Sequence, residues 1–195
     1  MLRTRLSRVE DPGTTYFVTF VLYDRHLCDL TRTQLGEVIV KALRHFDGRR
    51  YLLFDYVVMP DHVHFLIKPL RRGLAEAGGT PAPRGGEMYG RGVQAGEAGE
   101  TPALRGGGRE GRSAGVEYEP LSRIYHSLKS YTAHEINRIV GRSGQVWEDG
   151  TYDHVIRNRL DFEEKAHYIF MNAVNKGLTK DPAKWEWWGR GSGIQ

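Results

Sequence analysis

Several features that define other protein classes are missing from this chain of 195 residues. No run of about 18 apolar residues occurs, so the sequence predicts no membrane-spanning helix. The first eight residues hold three arginines and are followed by Glu10-Asp11-Pro12-Gly13, which argues against an export signal with an apolar centre. A single cysteine, Cys28, excludes an internal disulfide and a cysteine-based metal site. We therefore expect a cytoplasmic protein.

Positive charge is present in modest excess. The net charge of +4 and the isoelectric point near 9.2 are compatible with a polyanionic partner such as nucleic acid. Many proteins with other partners are equally basic, so composition alone does not select a function.

Glycine is unevenly distributed and marks an insertion. Residues 71–117 hold fourteen of the 24 glycines, and segment 76–86 recurs at 97–107 with nine of eleven positions identical. Two short units poor in apolar residues cannot form a packed core, so we expect a disordered insertion. Its arginines could contact nucleic acid, although a solvated spacer is the simpler interpretation. One domain then consists of residues 1–70 and 118–195.

Outside the insertion, hydrophobic patterns predict alternating strands and helices. Segments rich in aromatic and β-branched residues are typical of strands. Segments with apolar residues three and four positions apart predict amphipathic helices. The predicted strands are residues 16–23, 52–58, 62–67 and 152–156, and the predicted helices are residues 34–46, 120–141 and 160–173, the last with Asn158 as its N-cap.

This order of elements predicts an α+β fold with a ferredoxin- or RRM-like antiparallel sheet. Helices cover one face of that sheet, and the other face is expected to stay open. In the tail, residues 182–188 include three tryptophans that we expect to cover an apolar surface rather than to stack on bases. The glycine-rich end that follows is expected to fray.

The open face is predicted to bear two histidines. In the segment Met59-Pro60-Asp61-His62-Val63-His64, a turn leads into a strand. Alternate side chains of a strand point to the same face, so His62 and His64 project together and Val63 projects into the core. Two adjacent imidazoles form half of a metal site, although an isolated pair of this kind is more often structural or merely exposed.

A tyrosine and an amide on the last predicted helix complete a candidate site. Tyr168 and Asn172 are four residues apart and share one helix face. If this helix lies beside the histidines, two nitrogens and an amide oxygen could hold a divalent ion, with the tyrosine beside it as nucleophile. Tyr125, Tyr131 and Tyr152 are competing nucleophiles, and only the spacing to Asn172 selects Tyr168.

Five stretches of the sequence, in the order in which they follow one another, resemble the REP-associated tyrosine transposases. These are a branch of the HUH single-strand nucleases. The family name HUH describes a His-hydrophobic-His motif, here His62-Val63-His64. The resemblance spans nearly all of the chain except the insertion and the last few residues. The other four stretches are Leu128-Lys129-Ser130-Tyr131-Thr132, Val146-Trp147-Glu148, Tyr152-Asp153-His154-Val155-Ile156-Arg157, and Tyr168-Ile169-Phe170-Met171-Asn172 with Lys176-Gly177-Leu178.

The resemblance implies a metal-dependent transesterification on single-stranded DNA. His62 and His64 would bind Mg²⁺ or Mn²⁺ with Asn172 as the third ligand, and Tyr168 would attack the scissile phosphate to give a 5′-phosphotyrosine and a free 3′-OH. Related proteins act on short palindromic repeats, which implies hairpin DNA as the partner of a monomer or homodimer. The candidate DNA-binding residues are Lys129, Arg138, Arg142, His154 and Arg157.

Two other functions stay open at this point. A catalytically inactive protein could bind hairpin DNA or RNA on its open sheet face. Alternatively, a metal-dependent phosphodiesterase could use water as the nucleophile, with Tyr168 serving the structure only.

Overall fold

A computed structural model describes residues 13–71 and 118–193 of the protein. These residues form a five-stranded sheet, three α-helices and a short 3₁₀ helix. No helix among them is long and apolar enough to cross a membrane. The elements are β1 (Tyr16–Val21), α1 (Thr33–His45), β2 (Tyr51–Val58), β3 (His62–Pro69), α2 (Leu121–Val140), β4 (Tyr152–Val155), α3 (Arg159–Asn175), the 3₁₀ helix (Pro182–Lys184) and β5 (Trp188–Arg190).

The sheet has the order β4-β1-β3-β2-β5, and all neighbouring strands are antiparallel. Its first six elements follow the βαββαβ order of ferredoxin-like folds, with α3 and β5 added after them. The predicted α+β class is confirmed. Predicted strands and helices agree with the observed ones to within two residues at each end.

The helices lie on both faces of the sheet. Helices α1 and α2 cover the first face, where the rings of Phe20 and Phe65 meet edge to face at 5.0 Å. Helix α3 packs on the second face, where Ile169 and Ala173 are buried in an apolar cluster with Leu66. The face expected to stay open is therefore partly covered by α3. Helix α3, which bears Tyr168 and Asn172, therefore lies on the same face of the sheet as the histidines, as the candidate site requires.

The ends of α2 and α3 follow signals in the sequence. Gly141 ends α2 in the left-handed conformation at φ 68°, which glycine adopts without a steric penalty. The side chain of Asn158 accepts a hydrogen bond from the Asp161 amide and caps the start of α3, as predicted. The cap thus fixes the residue at which α3 begins, nine residues before Tyr168.

The predicted insertion lies outside the described residues, apart from Arg71. Arg71 forms an antiparallel bridge with Tyr118, and the Glu119 amide donates to the Leu70 carbonyl at 3.0 Å. The described residues on either side of the predicted insertion therefore lie side by side, just beyond β3. The assignment of residues 71–117 as a disordered insertion stays a prediction.

The C-terminal tail adds a strand that the sequence pattern did not predict. Strand β5 pairs with β2, and beyond it the amides of Gly191 and Gly193 donate to the carbonyls of Phe54 and Leu53 at 2.6 and 2.7 Å. The expected fraying is therefore wrong for the described residues up to Gly193. Backbone hydrogen bonds hold this segment, together with the ion pair of Arg190 with Asp55 and the bonds of Ser192 to Asp47.

The three tail tryptophans cover apolar surfaces on both sides of the sheet, as predicted. Trp187 is buried beside α1, whereas Trp185 and Trp188 pack near α3. A methyl group at Gly36 of α1 would lie 2.5 Å from ring carbons of Trp187. Glycine in a helix interior costs about 1 kcal/mol relative to alanine, and here it makes room for the indole.

We predict that Gly36→Ala destabilises the protein by about 1–3 kcal/mol, the usual cost of overpacking a core. Urea unfolding of the full chain measures this change. In a Trp187→Ala background the clash is absent, so the same substitution should stabilise by up to about 1 kcal/mol. Equal effects in the two backgrounds would contradict this account of the packing.

Candidate active site

A tight connection between β2 and β3 positions the two histidines. The Met59 amide donates to the His62 carbonyl at 2.8 Å, so His62 is held as the first residue of β3. Val63 and Phe65 point into the core under α1 and α2, as the alternation predicts. The imidazoles of His62 and His64 lie on the opposite face with ring centroids 4.6 Å apart. We call this surface the histidine face.

Each imidazole is oriented through Nδ1 by an oxygen. Nδ1 of His62 lies 2.5 Å from Oδ1 of Asp61, and Nδ1 of His64 lies 2.8 Å from Oγ1 of Thr19. Thr19 is the register partner of His64 across β1 and β3. This arrangement leaves Nε2 of each ring for a further ligand, and oxygen partners of this kind are typical of metal-binding histidines.

Burial and neighbouring charges set the protonation of these groups. Burial lowers the pKa of His64 to about 3, and the adjacent His62 acts in the same direction. His64 is therefore neutral at pH 7, as a metal ligand must be. Burial alone would raise the pKa of Asp61, but the hydrogen bond with His62 and the nearby Arg25 hold it below its usual range. Asp61 is therefore a carboxylate at neutral pH.

Helix α3 brings Tyr168 to the histidines. Its ring centroid lies 5.3 Å from that of His64, and Phe17 contacts both rings, stacking on His64 at 5.2 Å and meeting Tyr168 edge-on at 5.9 Å. Tyr168 is 43 % exposed. A phenol held by two aromatic neighbours but open to solvent can meet a substrate without a change of fold.

Asn172 lies one helical turn beyond Tyr168 and is 2 % exposed. Its Oδ1 is buried without a hydrogen-bond partner among the described residues. Such an orphaned oxygen costs about 1–3 kcal/mol unless a ligand satisfies it. These residues contain no group of three His, Cys, Asp or Glu side chains that could hold a metal, and Asn172 is not among the residues that line the cleft beside His62 and His64.

The histidines and Tyr168 line a cleft of about 470 Å³, here called the histidine cleft. Its lining also includes Thr19, Asp61 and Lys176. Lys176 follows α3, and its positive charge helps to lower the pKa of His64. The cleft thus combines two imidazoles, of which that of His64 is neutral at pH 7, with a phenol and an ammonium group, a combination suited to a phosphate ester.

Sequence reasoning named His62, His64, Tyr168 and Asn172 but assigned no role to several residues that complete the cleft. Asp61 directly precedes the His62-Val63-His64 motif and Lys176 belongs to the last motif of the resemblance, so the sequence shows their positions but not their contacts. The contribution of Thr19 becomes visible only through the pairing of β1 with β3.

Two of the three competing tyrosines lie away from the histidine face. Tyr125 is buried under the first face and donates to Asp153, and Tyr131 lines a groove between α1 and α2. Tyr152 is different, because it is the register partner of Thr19 on β4. It therefore stays a competitor of Tyr168.

Two of the predicted DNA contacts belong to α2, across the sheet from the histidine cleft. The Lys129 ammonium donates to the carbonyls of Glu148 and Gly150 at 2.8 and 2.5 Å and so holds the loop before β4. Arg138 pairs with Glu135 on the exposed side of α2. Neither residue flanks the cleft.

The other predicted contacts lie nearer to α3 or in a turn. His154 on β4 pairs with Asp161 of α3 at 3.0 Å, and Arg157 lies just before α3, its amide bonded to the same carboxylate. Arg142 is exposed in the turn after α2. Of the five, His154 and Arg157 lie at the junction with the histidine face.

Comparison with known proteins supports the fold that the sequence predicts. The protein is similar to a solved structure of a REP-associated tyrosine transposase bound to a REP hairpin, with a TM-score of 0.55 and 18% sequence identity, over 95% of this chain and 82% of that chain. The likeness is one of fold. No family model and no curated protein matches the sequence.

We predict that Mn²⁺ raises the melting temperature of the protein and that His64→Ala and Asn172→Leu each abolish the rise. At a concentration 100 times the dissociation constant, a bound ion adds about 2.7 kcal/mol to the free energy of unfolding. Differential scanning fluorimetry measures the shift. The matched control is His154→Ala, whose imidazole is bonded to Asp161, and this variant should keep the rise. A rise that survives both site substitutions would argue against a metal at these residues.

Proposed function

We propose that the protein is a metal-dependent endonuclease and transposase that cleaves and rejoins single-stranded DNA at palindromic repeat hairpins through a 5′-phosphotyrosine. The main support is the position of Tyr168, 5.3 Å between ring centroids from an oriented, neutral His64 in one open cleft. The fold likeness to a transposase bound to a hairpin supports the choice of partner.

In this proposal His62, His64 and Asn172 hold Mg²⁺ or Mn²⁺. The donor set fits, because two imidazole nitrogens and an unsatisfied amide oxygen are suitable ligands for such an ion and leave positions for a substrate oxygen. The bound ion would supply Lewis acidity that polarises a phosphate oxygen. Asp61 and Thr19 orient the two imidazoles, and the Asp61 carboxylate, which accepts, favours a proton on Nδ1 of His62.

Tyr168 is the nucleophile of the proposed reaction. A free phenol has a pKa of about 10, so it must lose its proton to solvent as it attacks. Its oxygen forms a bond to phosphorus while the bond to the 3′ oxygen breaks, and that oxygen leaves with the electron pair and takes up a proton. The strand then ends in a free 3′-OH, and its other part is bound to Tyr168 through the 5′ phosphate. Attack by a second 3′-OH reverses the step and joins strands.

Lys176 contributes positive charge to the same cleft. It follows the end of α3 and lines the cleft together with His64 and Tyr168. We assign its ammonium group to a non-bridging phosphate oxygen, where hydrogen bonds that involve a charged group are strongest. Its exposure at the surface makes a role in stabilising the fold small.

We predict that wild-type protein forms a covalent adduct with a labelled single-stranded hairpin in Mn²⁺ and that Tyr168→Phe does not. The adduct survives a denaturing gel because it is a phosphodiester bond. Tyr152→Phe is the matched control, since Tyr152 lies on the same face, and this variant should form the adduct at the wild-type rate.

The same gel distinguishes the alternatives. Strand cleavage that survives Tyr168→Phe would favour a phosphodiesterase that uses water. Hairpin binding by the wild type without any cleavage would favour a catalytically inactive binding protein. An adduct lost in Tyr152→Phe but kept in Tyr168→Phe would exchange the roles of the two tyrosines.

We further predict that Lys176→Met slows adduct formation by about 10- to 100-fold, as expected for one charge-assisted hydrogen bond of about 1.5–3 kcal/mol. Lys176→Arg should keep most of the rate. Single-turnover kinetics measure the effect, and Lys180→Met, which removes an exposed charge outside the cleft, is the control. Equal losses in Lys176→Met and Lys180→Met would show only a general effect of positive charge on DNA binding.

A further inference from the structure

Tyr152 points toward the histidine face. On β4, the side chain of Asp153 accepts a hydrogen bond from Tyr125 of α2, and Val155 packs against the core beneath α1 and α2. Side chains alternate along a strand, so Tyr152 and His154 face the other way. The ion pair between His154 and Asp161 of α3 agrees with this orientation.

Tyr152 shares one row of the sheet with the candidate active site. It pairs with Thr19 of β1, and Thr19 pairs with His64 of β3. Neighbouring strands are about 4.8 Å apart, so the Cα atoms of Tyr152 and His64 are separated by about 10 Å. The residue between them is a small threonine whose hydroxyl is bonded to His64, so no large side chain stands between the two rings.

The ring of Tyr152 contributes little to the fold. It is 63 % exposed, and it belongs to neither apolar cluster of the described residues. Phe17, one row away on the same face, is by contrast packed against His64 and Tyr168. An exposed aromatic ring beside a cleft for a phosphate is the arrangement with which proteins stack unpaired bases.

We propose that Tyr152 is a base-stacking subsite for a nucleotide that flanks the scissile phosphate. The ligand is a nucleobase of single-stranded DNA, and the inference rests on the proposed function of the histidine cleft. With the phosphate at His62 and His64, the neighbouring base lies within reach of the Tyr152 ring along the Tyr152–Thr19–His64 row. Every base has an aromatic face, so this subsite positions the strand without reading its sequence.

The test measures binding of a labelled hairpin with a single-stranded flank by fluorescence anisotropy, with metal chelated so that no strand is cut. Tyr152→Ala should weaken binding by about 5- to 150-fold, the range expected for one base stack. Tyr152→Phe keeps the aromatic face and should bind as the wild type does. Tyr152→Leu keeps apolar bulk for the edge strand without an aromatic face, so it should resemble the alanine variant.

Abasic nucleotides, introduced one at a time along the flank, identify the stacked base. At one position the abasic change should weaken binding to the wild type and have no effect on Tyr152→Ala. If the abasic change weakened binding to the wild type and to Tyr152→Ala equally at every position, the subsite would be refuted. Equal affinity of Tyr152→Leu and the wild type would also refute it. The adduct assay judges the proposed function separately, because a wild type that forms the adduct while lacking this coupling refutes the stacking role alone.

Discussion

The pairing of β1 with β3 holds the candidate site together, because it places Thr19 opposite His64 and Val21 opposite His62. A slip of one residue would turn the side chains of one strand to the other face and separate the Thr19 hydroxyl from the imidazole it orients. The buried residues of both strands oppose such a slip. Phe20 and Phe65 interlock beneath α1 and α2, so the core that stabilises the fold also fixes the register that the site requires.

The candidate site includes two unfavourable features that this rigid frame tolerates. His64 is desolvated to the extent that its pKa falls to about 3, and the Asn172 amide oxygen is buried without a partner among the described residues. Both groups lie on regular elements packed into apolar clusters rather than on loops. Polar groups held in this way at a local cost in stability are expected where a site is organised before its ligand arrives.

Most of the helices and strands, and the two residue pairs of the candidate site, could be predicted from periodicity. Period two along β3 gives the shared face of His62 and His64, and the four-residue interval on α3 gives the shared face of Tyr168 and Asn172. Contacts between elements distant in sequence could not be predicted this way. No local pattern indicates that Thr19 pairs with His64 or that Trp187 packs against Gly36. The tail differs from its prediction for a related reason, since it is held by backbone pairing with β2 and by side-chain bonds of Arg190 and Ser192 to residues distant in sequence.

The bridge between Arg71 and Tyr118 has a consequence for how this domain accommodates length. Both residues lie just beyond the C-terminal end of β3. The strand pairs of the sheet therefore do not include the segment between them. The entropic cost of closing a flexible loop rises only with the logarithm of its length, by about 0.6 kcal/mol for each doubling. For an insertion that is disordered as predicted, a duplication such as the one between residues 76–86 and 97–107 would lengthen the connection at a cost of this size only, and the register of β1 and β3 would be unaffected.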